Sequence, residues 1–97
     1  MHVQALSMDL HLPHCRSLKD KRSALRPIID GVDHRFPVAV AEVDHQDRWQ
    51  RARIGVAAVS GSARQVVEII DEVERFVWSR PDIEVGAVER SWLEIDR

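Results

Sequence analysis

Basic side chains are concentrated in one short segment of this 97-residue sequence, and they are the first candidates for chemistry. Residues 16–26 contain five cations and a single acid, Asp20, and they include both lysines of the chain. Cations near the start of a helix oppose the helix dipole, so this placement costs stability unless an anion or an acidic partner lies nearby. We therefore predict a phosphate-binding or partner-binding site formed by Arg16, Lys19, Lys21, Arg22 and Arg26.

The same segment can also be interpreted as a solvated helix face. At helical spacing Lys19, Arg22 and Arg26 fall on one flank of the helix. Lys21 instead falls within the apolar arc, near Leu25, from which a long side chain can extend past the end of a sheet to solvent. The sequence leaves open whether Lys21 is buried.

A second candidate lies in the polar segment 44–51, which contains no glycine although it connects two apolar runs. Trp49, which lies between two arginines, could anchor a partner or stack on a nucleotide base, with Arg51 beside it. Alternatively, Trp49 packs onto the end of the sheet and Arg51 pairs with Asp44 or Asp47. The binding interpretation adds Trp49 and Arg51 to the predicted site.

Cysteine and metal chemistry have little support in the sequence. Cys15 is followed six residues later by Lys21, where the cysteine-phosphatase signature has an arginine, and the intervening loop has no glycine. His11, His14 and Cys15 could bind a soft metal, but no fourth ligand has a recognisable spacing. We therefore expect no catalytic residue, no metal site and no cofactor, and we predict that the protein is not an enzyme.

Composition and charge narrow the functional classes. Hydrophobic residues make up 44% and charged residues 31% of the chain, which is typical of a folded domain, and we predict one domain over residues 1–97. The formal net charge of −2 lacks the basic excess that favours non-specific nucleic-acid binding, so any nucleic-acid contact should be local. The sequence contains no run long enough for a transmembrane helix, one cysteine and no signal-peptide pattern, and we expect a cytoplasmic protein.

Hydrophobic periodicity predicts the elements that would position the basic segment. Apolar and polar residues alternate over 6–12, which predicts a first strand. Ser17, with Asp20 three residues later, resembles a helix N-cap, and the helix should run to about Arg35. Pro27 lies inside this helix, and because the apolar stripe continues in phase beyond it, we expect a kink rather than a break.

The second half of the chain predicts three more strands and one more helix. Residues 38–43 and 52–59 are rich in small and β-branched residues and form a predicted antiparallel hairpin. Ser62 begins a capping box before a second amphipathic helix. A last strand over 83–95 loses its alternation around Gly86, which predicts a β-bulge.

The resulting order, β-α-β-β-α-β, predicts an α+β, ferredoxin-like fold with a four-stranded antiparallel sheet and both helices on one face. The other face of the sheet is then free. We expect it to carry Ser7, Asp9, His11, Glu42 and Arg53. Strands one and three contain no aromatic residue, which disfavours base stacking on this face. Its Val and Ala side chains would otherwise be exposed to water, so we predict a homodimer through the sheet.

Residues 16–26, followed by residues 38–52, resemble the YlxP family of small bacterial proteins, whose function is not established. The resemblance covers nearly the whole chain and implies a ferredoxin-like fold. From the usual neighbourhood of the family's genes, it also implies an association with transcription, translation initiation and ribosome maturation. Family members often have Gly-Ala ahead of the first block, where this chain has His14 and Cys15, and this departure further weakens a catalytic role for Cys15.

From the residues and the resemblance together we predict a non-enzymatic module that assists ribosome maturation or translation. Its expected partners are a second copy of itself and ribosomal RNA or a ribosomal protein, with no DNA and no membrane. The alternative is a small-anion-sensing regulatory dimer of the ferredoxin-like type. Salt distinguishes the two functions, because binding through several phosphates weakens steeply with salt.

Overall fold

The computed structural model of the protein describes residues 1–93, and its strands form one antiparallel sheet in the order β2-β3-β1-β4. The elements are β1 (His2–His11), α1 (Leu18–Arg35), β2 (Ala39–Asp44), β3 (Arg51–Ser60), α2 (Ala63–Trp78) and β4 (Glu84–Leu93). Both helices pack on the same face of the sheet, so the predicted ferredoxin-like α+β fold is confirmed. The end of the predicted last strand, residues 94–95, lies outside the described residues.

Strand β1 supplies the centre of the core. Leu6, Met8 and Leu10 are all buried, as their alternation predicts. The strand also extends four residues further toward the N-terminus than its sequence pattern indicates. Gln4 explains the difference, because this polar residue occupies a buried, core-facing position and interrupts the apolar alternation.

Helix α1 begins where its cap predicts. The Asp20 backbone N–H donates to Ser17 Oγ at 3.0 Å, and Asp20 Oδ2 accepts from the Arg16 backbone N–H at 3.0 Å. The Ser17 hydroxyl and the Asp20 carboxylate therefore each accept a hydrogen bond from a backbone N–H at the start of the helix, in the manner of a capping box. The helix then continues through Pro27, which lies on its exposed side, to Arg35. Helix α2 begins in the same way, since Ser62 Oγ accepts from the Gln65 N–H.

The predicted bulge in the last strand is confirmed. Met8 pairs with Val88 but Leu10 pairs with Val85, so Gly86 and the next residue together oppose Asp9. Without the extra residue, Val85 and Val88 would point to opposite faces, because side chains alternate along a strand. The bulge allows both valines to pack against the core.

One predicted member of the free face is wrong. Glu42 pairs with Ile54, a fully buried residue of the helix-covered face, so Glu42 also points toward the helices. The other four predicted residues do lie on the free face. Asp9 pairs with Arg53, and Ser7 and His11 lie two residues before and after Asp9 in β1, so their side chains point to the same face. Residues 38–41 and Val43 are all apolar, so the polarity of the residues around Glu42 does not indicate which side of the strand is buried.

Candidate functional site

The loop between β1 and α1 and the hairpin loop between β2 and β3 meet at one end of the sheet. The Leu12 N–H donates to the Gln50 carbonyl at 2.9 Å, and Gln50 Nε2 donates to the Cys15 carbonyl at 3.1 Å. These bonds cross between segments that are 35 or more residues apart in the chain. The structure therefore brings Arg16 and the start of α1 to the same end of the protein as the hairpin that carries Trp49.

Lys21 is buried, which the sequence left open. Its side chain is 3% exposed, and Nζ lies 2.7 Å from Glu42 Oε2. The angle between these two groups is not that of a hydrogen bond; the bond from Nζ goes instead to the His45 carbonyl, at 2.6 Å. Lys21 therefore does not extend to solvent and is not accessible to a ligand, contrary to its predicted place in the binding site. It attaches α1 to β2 and to the hairpin loop.

The hairpin loop is held in one conformation by its own backbone contacts. His45 has a φ of 63°, in the left-handed region that non-glycine residues rarely adopt. Its carbonyl accepts from the Arg48 N–H at 2.9 Å as well as from Lys21. Its own N–H donates to Asp44 Oδ1 at 2.7 Å. The unusual backbone of His45 is thus compensated on both sides by polar contacts.

Trp49 and Arg51 point away from the core. The Trp49 residue is 54% exposed, so the alternative in which it packs onto the end of the sheet is not observed. Among residues 1–93, no carboxylate lies within 4.0 Å of the Arg51 guanidinium, so its expected pairing with Asp44 or Asp47 is not observed either. Together with His11, Trp49 and Arg51 line a shallow depression on this loop.

The flank of α1 presents a second depression, lined by Lys19, Arg22 and Arg26. These three residues and Arg16 are exposed, and within the described part of the chain none of them forms an ion pair. We call this cluster the basic surface; it consists of Arg16, Lys19, Arg22 and Arg26.

Cations elsewhere in the protein are mostly engaged. Arg53 pairs with Asp9, Arg64 with Glu68, and Arg90 with both Asp71 and Glu74. Arg35 and Arg80 each lie over the ring of Phe76, at 4.8 Å and 4.7 Å. In residues 1–93, the remaining unpaired arginines are Arg48 and Arg51 of the hairpin and Arg75 of α2. Unpaired positive charge is therefore concentrated where the two loops meet.

The end of helix α1 itself is a poor place for an anion. The Asp20 N–H is already bonded to Ser17 Oγ, and the Asp20 carboxylate accepts from the Arg16 N–H. This carboxylate adds a negative charge at the helix N-terminus, where it interacts favourably with the dipole. An incoming phosphate would be repelled there, so the flank of α1, and not its free amides, is the part of the predicted site that is open to an anion.

Cys15 is a buried thiol, 5% exposed. Burial raises its pKa, Asp20 raises it further, and the nearby Lys21 offsets part of the shift. A thiol with a raised pKa remains protonated at neutral pH and is a poor nucleophile. In residues 1–93 no group of three or more His, Cys, Asp or Glu side chains is arranged to hold a metal ion. No described helix is long and apolar enough to cross a membrane.

Sequence reasoning missed the Lys21–Glu42 pair, although its two signals were present. A lysine inside an apolar helical arc requires a carboxylate partner if it is buried. Glu42 is the one charged residue in the apolar run 38–43. Both residues are therefore exceptions to their local pattern, and such a pair of exceptions indicates a contact.

Residues 3–90 match the family model described as "Protein of unknown function (DUF503)". The chain belongs to this family. A curated relative, "Uncharacterized protein YlxP" of Bacillus subtilis (strain 168), is 40% identical over 77 residues, which cover 79% of this chain and 84% of the relative. The YlxP resemblance is thereby confirmed. Among solved structures, the de novo designed protein LFR1 1 with ferredoxin fold is similar with a TM-score of 0.42 and 15% identity, covering 99% of this chain and 88% of that chain.

Proposed function

We propose that this DUF503 protein is a non-enzymatic binding module that assists ribosome maturation or translation by contacting ribosomal RNA. The basic surface contacts phosphates, and Trp49 and Arg51 of the hairpin contact an adjacent nucleotide. One observation carries the proposal: within residues 1–93, Arg16, Lys19, Arg22 and Arg26 have neither an acidic partner nor an aromatic ring beneath them, whereas six of the nine other lysines and arginines have one or the other. A row of unpaired cations on one helix flank repels itself, and phosphates relieve that repulsion.

The charge distribution favours a single binding orientation. Helix α2 carries four acidic residues against two arginines, so it attracts a polyanion less than the flank of α1 does. The net charge of −2 means that attraction is confined to the end where the two loops meet. Each phosphate contact releases counterions and contributes a slope of about −0.7 to −0.9 to the dependence of log K on log salt concentration. Three to four contacts are enough to make binding clearly salt-sensitive.

The choice of RNA over another anionic partner is supported by the exposed indole of Trp49. Stacking of a base on an aromatic side chain stabilises binding by about 1–3 kcal/mol. Trp49 lies in the same depression as Arg51, which can contact the neighbouring phosphate. The assignment to ribosomal RNA comes from the YlxP resemblance and the gene neighbourhood that it implies. A second copy of the chain is a further expected partner.

The test is binding to purified bacterial ribosomal subunits and to protein-free ribosomal RNA, at low and at moderate salt. The double reversal Lys19→Glu/Arg22→Glu should weaken binding by tenfold or more and should lower the salt slope, with an unchanged circular dichroism spectrum. Arg75→Glu is the matched control, because Arg75 is also an exposed arginine without an ion pair in the described chain but lies on the acidic helix α2. Equal binding by the wild type and the double reversal would contradict the proposal.

Two further measurements separate the remaining interpretations. Trp49→Ala should reduce RNA affinity by about 5-fold to 150-fold if a base stacks on the indole, which is the equivalent of about 1–3 kcal/mol. Titration with inorganic phosphate tests the small-anion alternative. Binding of phosphate at low concentration, together with failure to bind RNA at low salt, would support the regulatory dimer in place of the RNA-binding module.

A further inference from the structure

The free face of the sheet changes its chemical character along the strands. The register of β3 with β1 places side chains of similar type beside each other in successive rows: Val59 with Val3, Ala57 with Ala5, Gly55 with Ser7, and Arg53 with Asp9. Along the two central strands, one end of this face is therefore apolar, the middle carries small residues and the other end is charged. The middle row is bordered by Glu89 of β4, which pairs with Ser7, and by the Val43 side chain of β2, which lies beside Gly55. Val59 is 57% exposed and its neighbour in the same row, Leu93 of β4, is 60% exposed.

We infer that this face binds a second copy of the same chain, about a two-fold axis that runs parallel to the strands between β1 and β3. Rotation about such an axis exchanges the two central strands and leaves the rows unchanged. Strand β3 of one copy then lies over β1 of the other. Val59 meets the partner's Val3, Ala57 meets the partner's Ala5, and Arg53 meets the partner's Asp9. Each row is thus matched to a row of its own kind.

The charged row provides the complementarity that selects this arrangement. Arg53 donates from Nε and Nη2 to the two carboxylate oxygens of Asp9, at 2.8 Å and 3.2 Å. A guanidinium has five N–H donors, so the donors of Nη1 remain available. In the proposed dimer each Arg53 lies against two carboxylates and each Asp9 against two guanidinium groups. A shift of one row would place Arg53 and Asp9 over Ser7 and Gly55 and would remove the charge pairs between the two copies.

The area and the flatness of the free face agree with the binding of a second copy of the chain. The rows of Ala, Gly and Ser on β1 and β3 allow the central strands of two sheets to approach at the usual spacing of about 10 Å. Three strands of ten residues and one of six present on the order of 600 Å² per copy. Two copies would bury about 1,200 Å², which is the lower end of the range for specific interfaces, so a dimer of moderate affinity is expected. Because α1 lies on the opposite face, the basic surface of each copy remains exposed in this dimer, whereas Arg51 lies in the next row of the free face, beside His11.

Analytical ultracentrifugation of charge-reversal variants tests the axis. The wild type should sediment with twice the monomer mass of 11.1 kDa at micromolar to tens of micromolar concentration. Asp9→Arg alone and Arg53→Asp alone should each be monomeric, because like charges then face each other across the axis. An equimolar mixture of the two variants should form the heterodimer. In the mixture the arginines of one variant face the aspartates of the other, although the pair within each chain stays broken.

The controls keep the inference testable if a single reversal fails to fold. The swapped double variant Asp9→Arg/Arg53→Asp retains both kinds of pair and should dimerise like the wild type. Ala57→Arg introduces a long cation at an exposed position in the middle of the face and should produce monomer. Glu72→Arg, on the outer side of α2, should leave the dimer unchanged. A monomeric wild type at 100 µM, or a mixture of the two reversals that stays monomeric, would overturn the inference.

Discussion

Substitution of Lys21 by methionine should destabilise the protein far more than its position near the start of a surface helix indicates. The change preserves the length of the side chain but removes the ammonium that lies 2.7 Å from Glu42 Oε2 and donates to the His45 carbonyl. Removal of one partner of a buried ion pair costs about 3–5 kcal/mol, because the other charge stays buried without a partner. Glu42 is 22% exposed and can recover part of its hydration, so we expect a loss of about 2–4 kcal/mol.

The only other lysine of the chain provides the matched control. Lys19 is exposed two residues away on the same helix and forms no ion pair in the described structure, so Lys19→Met should change stability by less than about 0.5 kcal/mol. The double variant Lys21→Met/Glu42→Leu replaces both charges by apolar groups. It should recover most of the loss, since a well-packed apolar pair is often as stable as a buried ion pair.

Urea denaturation measures these differences. With a slope of about 1–3 kcal/mol per molar urea for a small protein, the Lys21→Met midpoint should fall by about 1–3 M. Hydrogen exchange provides a local measurement, because the Arg48 N–H is bonded to the same His45 carbonyl that Lys21 contacts. That amide should exchange faster in Lys21→Met. Equal midpoints for Lys21→Met and Lys19→Met would show that the buried Lys21 ammonium does not stabilise the fold.

Three further predictions concern other parts of the protein. Cys15 should react with a thiol reagent at least tenfold more slowly in the native state than in denaturant, because it is buried and its pKa is raised; equal rates would contradict this. The hydrogen bonds and charge of Arg53 hold the pKa of Asp9 below its usual value. Ionised Asp9 therefore stabilises the folded state fully above about pH 4, and this stabilisation is lost as the pH falls through the lowered pKa of Asp9 in the folded protein. Stability should therefore fall more steeply from about pH 4 to pH 2 in the wild type than in Asp9→Asn. Gly31→Ala should cost about 1–3 kcal/mol by urea denaturation, since its Cβ would lie 2.6 Å from a Phe76 ring atom; a stabilised variant would show that the ring moves freely.

The elements of the fold could be predicted from the sequence because their signals are local. Helix α1 begins at the residue after Ser17, as the cap predicts, and β4 is irregular at Gly86, as the lost alternation predicts. The N-terminal half of β1 escaped prediction because Gln4 is a polar residue in a core-facing position. A buried polar residue and a surface polar residue give the same hydropathy pattern in the sequence, and only the packing in the folded protein distinguishes them.

The candidate site divides in the same way. Lys19, Arg22 and Arg26 share a helix flank because of the period of 3.6 residues, so their clustering was visible in the sequence. Their lack of carboxylate partners in the described chain was not visible, because ion pairs join residues that are distant in sequence. Lys21 belongs to the same run of cations, but its burial depends on Glu42, 21 positions away on a different strand.

Local sequence patterns are sufficient to predict the order of strands and helices, the caps of both helices, the place of the bulge and the concentration of cations in residues 16–26. Each of these depends on interactions within a few residues, which the local pattern records. Three features became visible only in the folded protein: Glu42 faces the helices, Lys21 is buried against it, and the central strands of the free face change from apolar at Val59 to charged at Arg53. These features depend on strand register, and register is set by contacts between distant segments, so no local pattern specifies it.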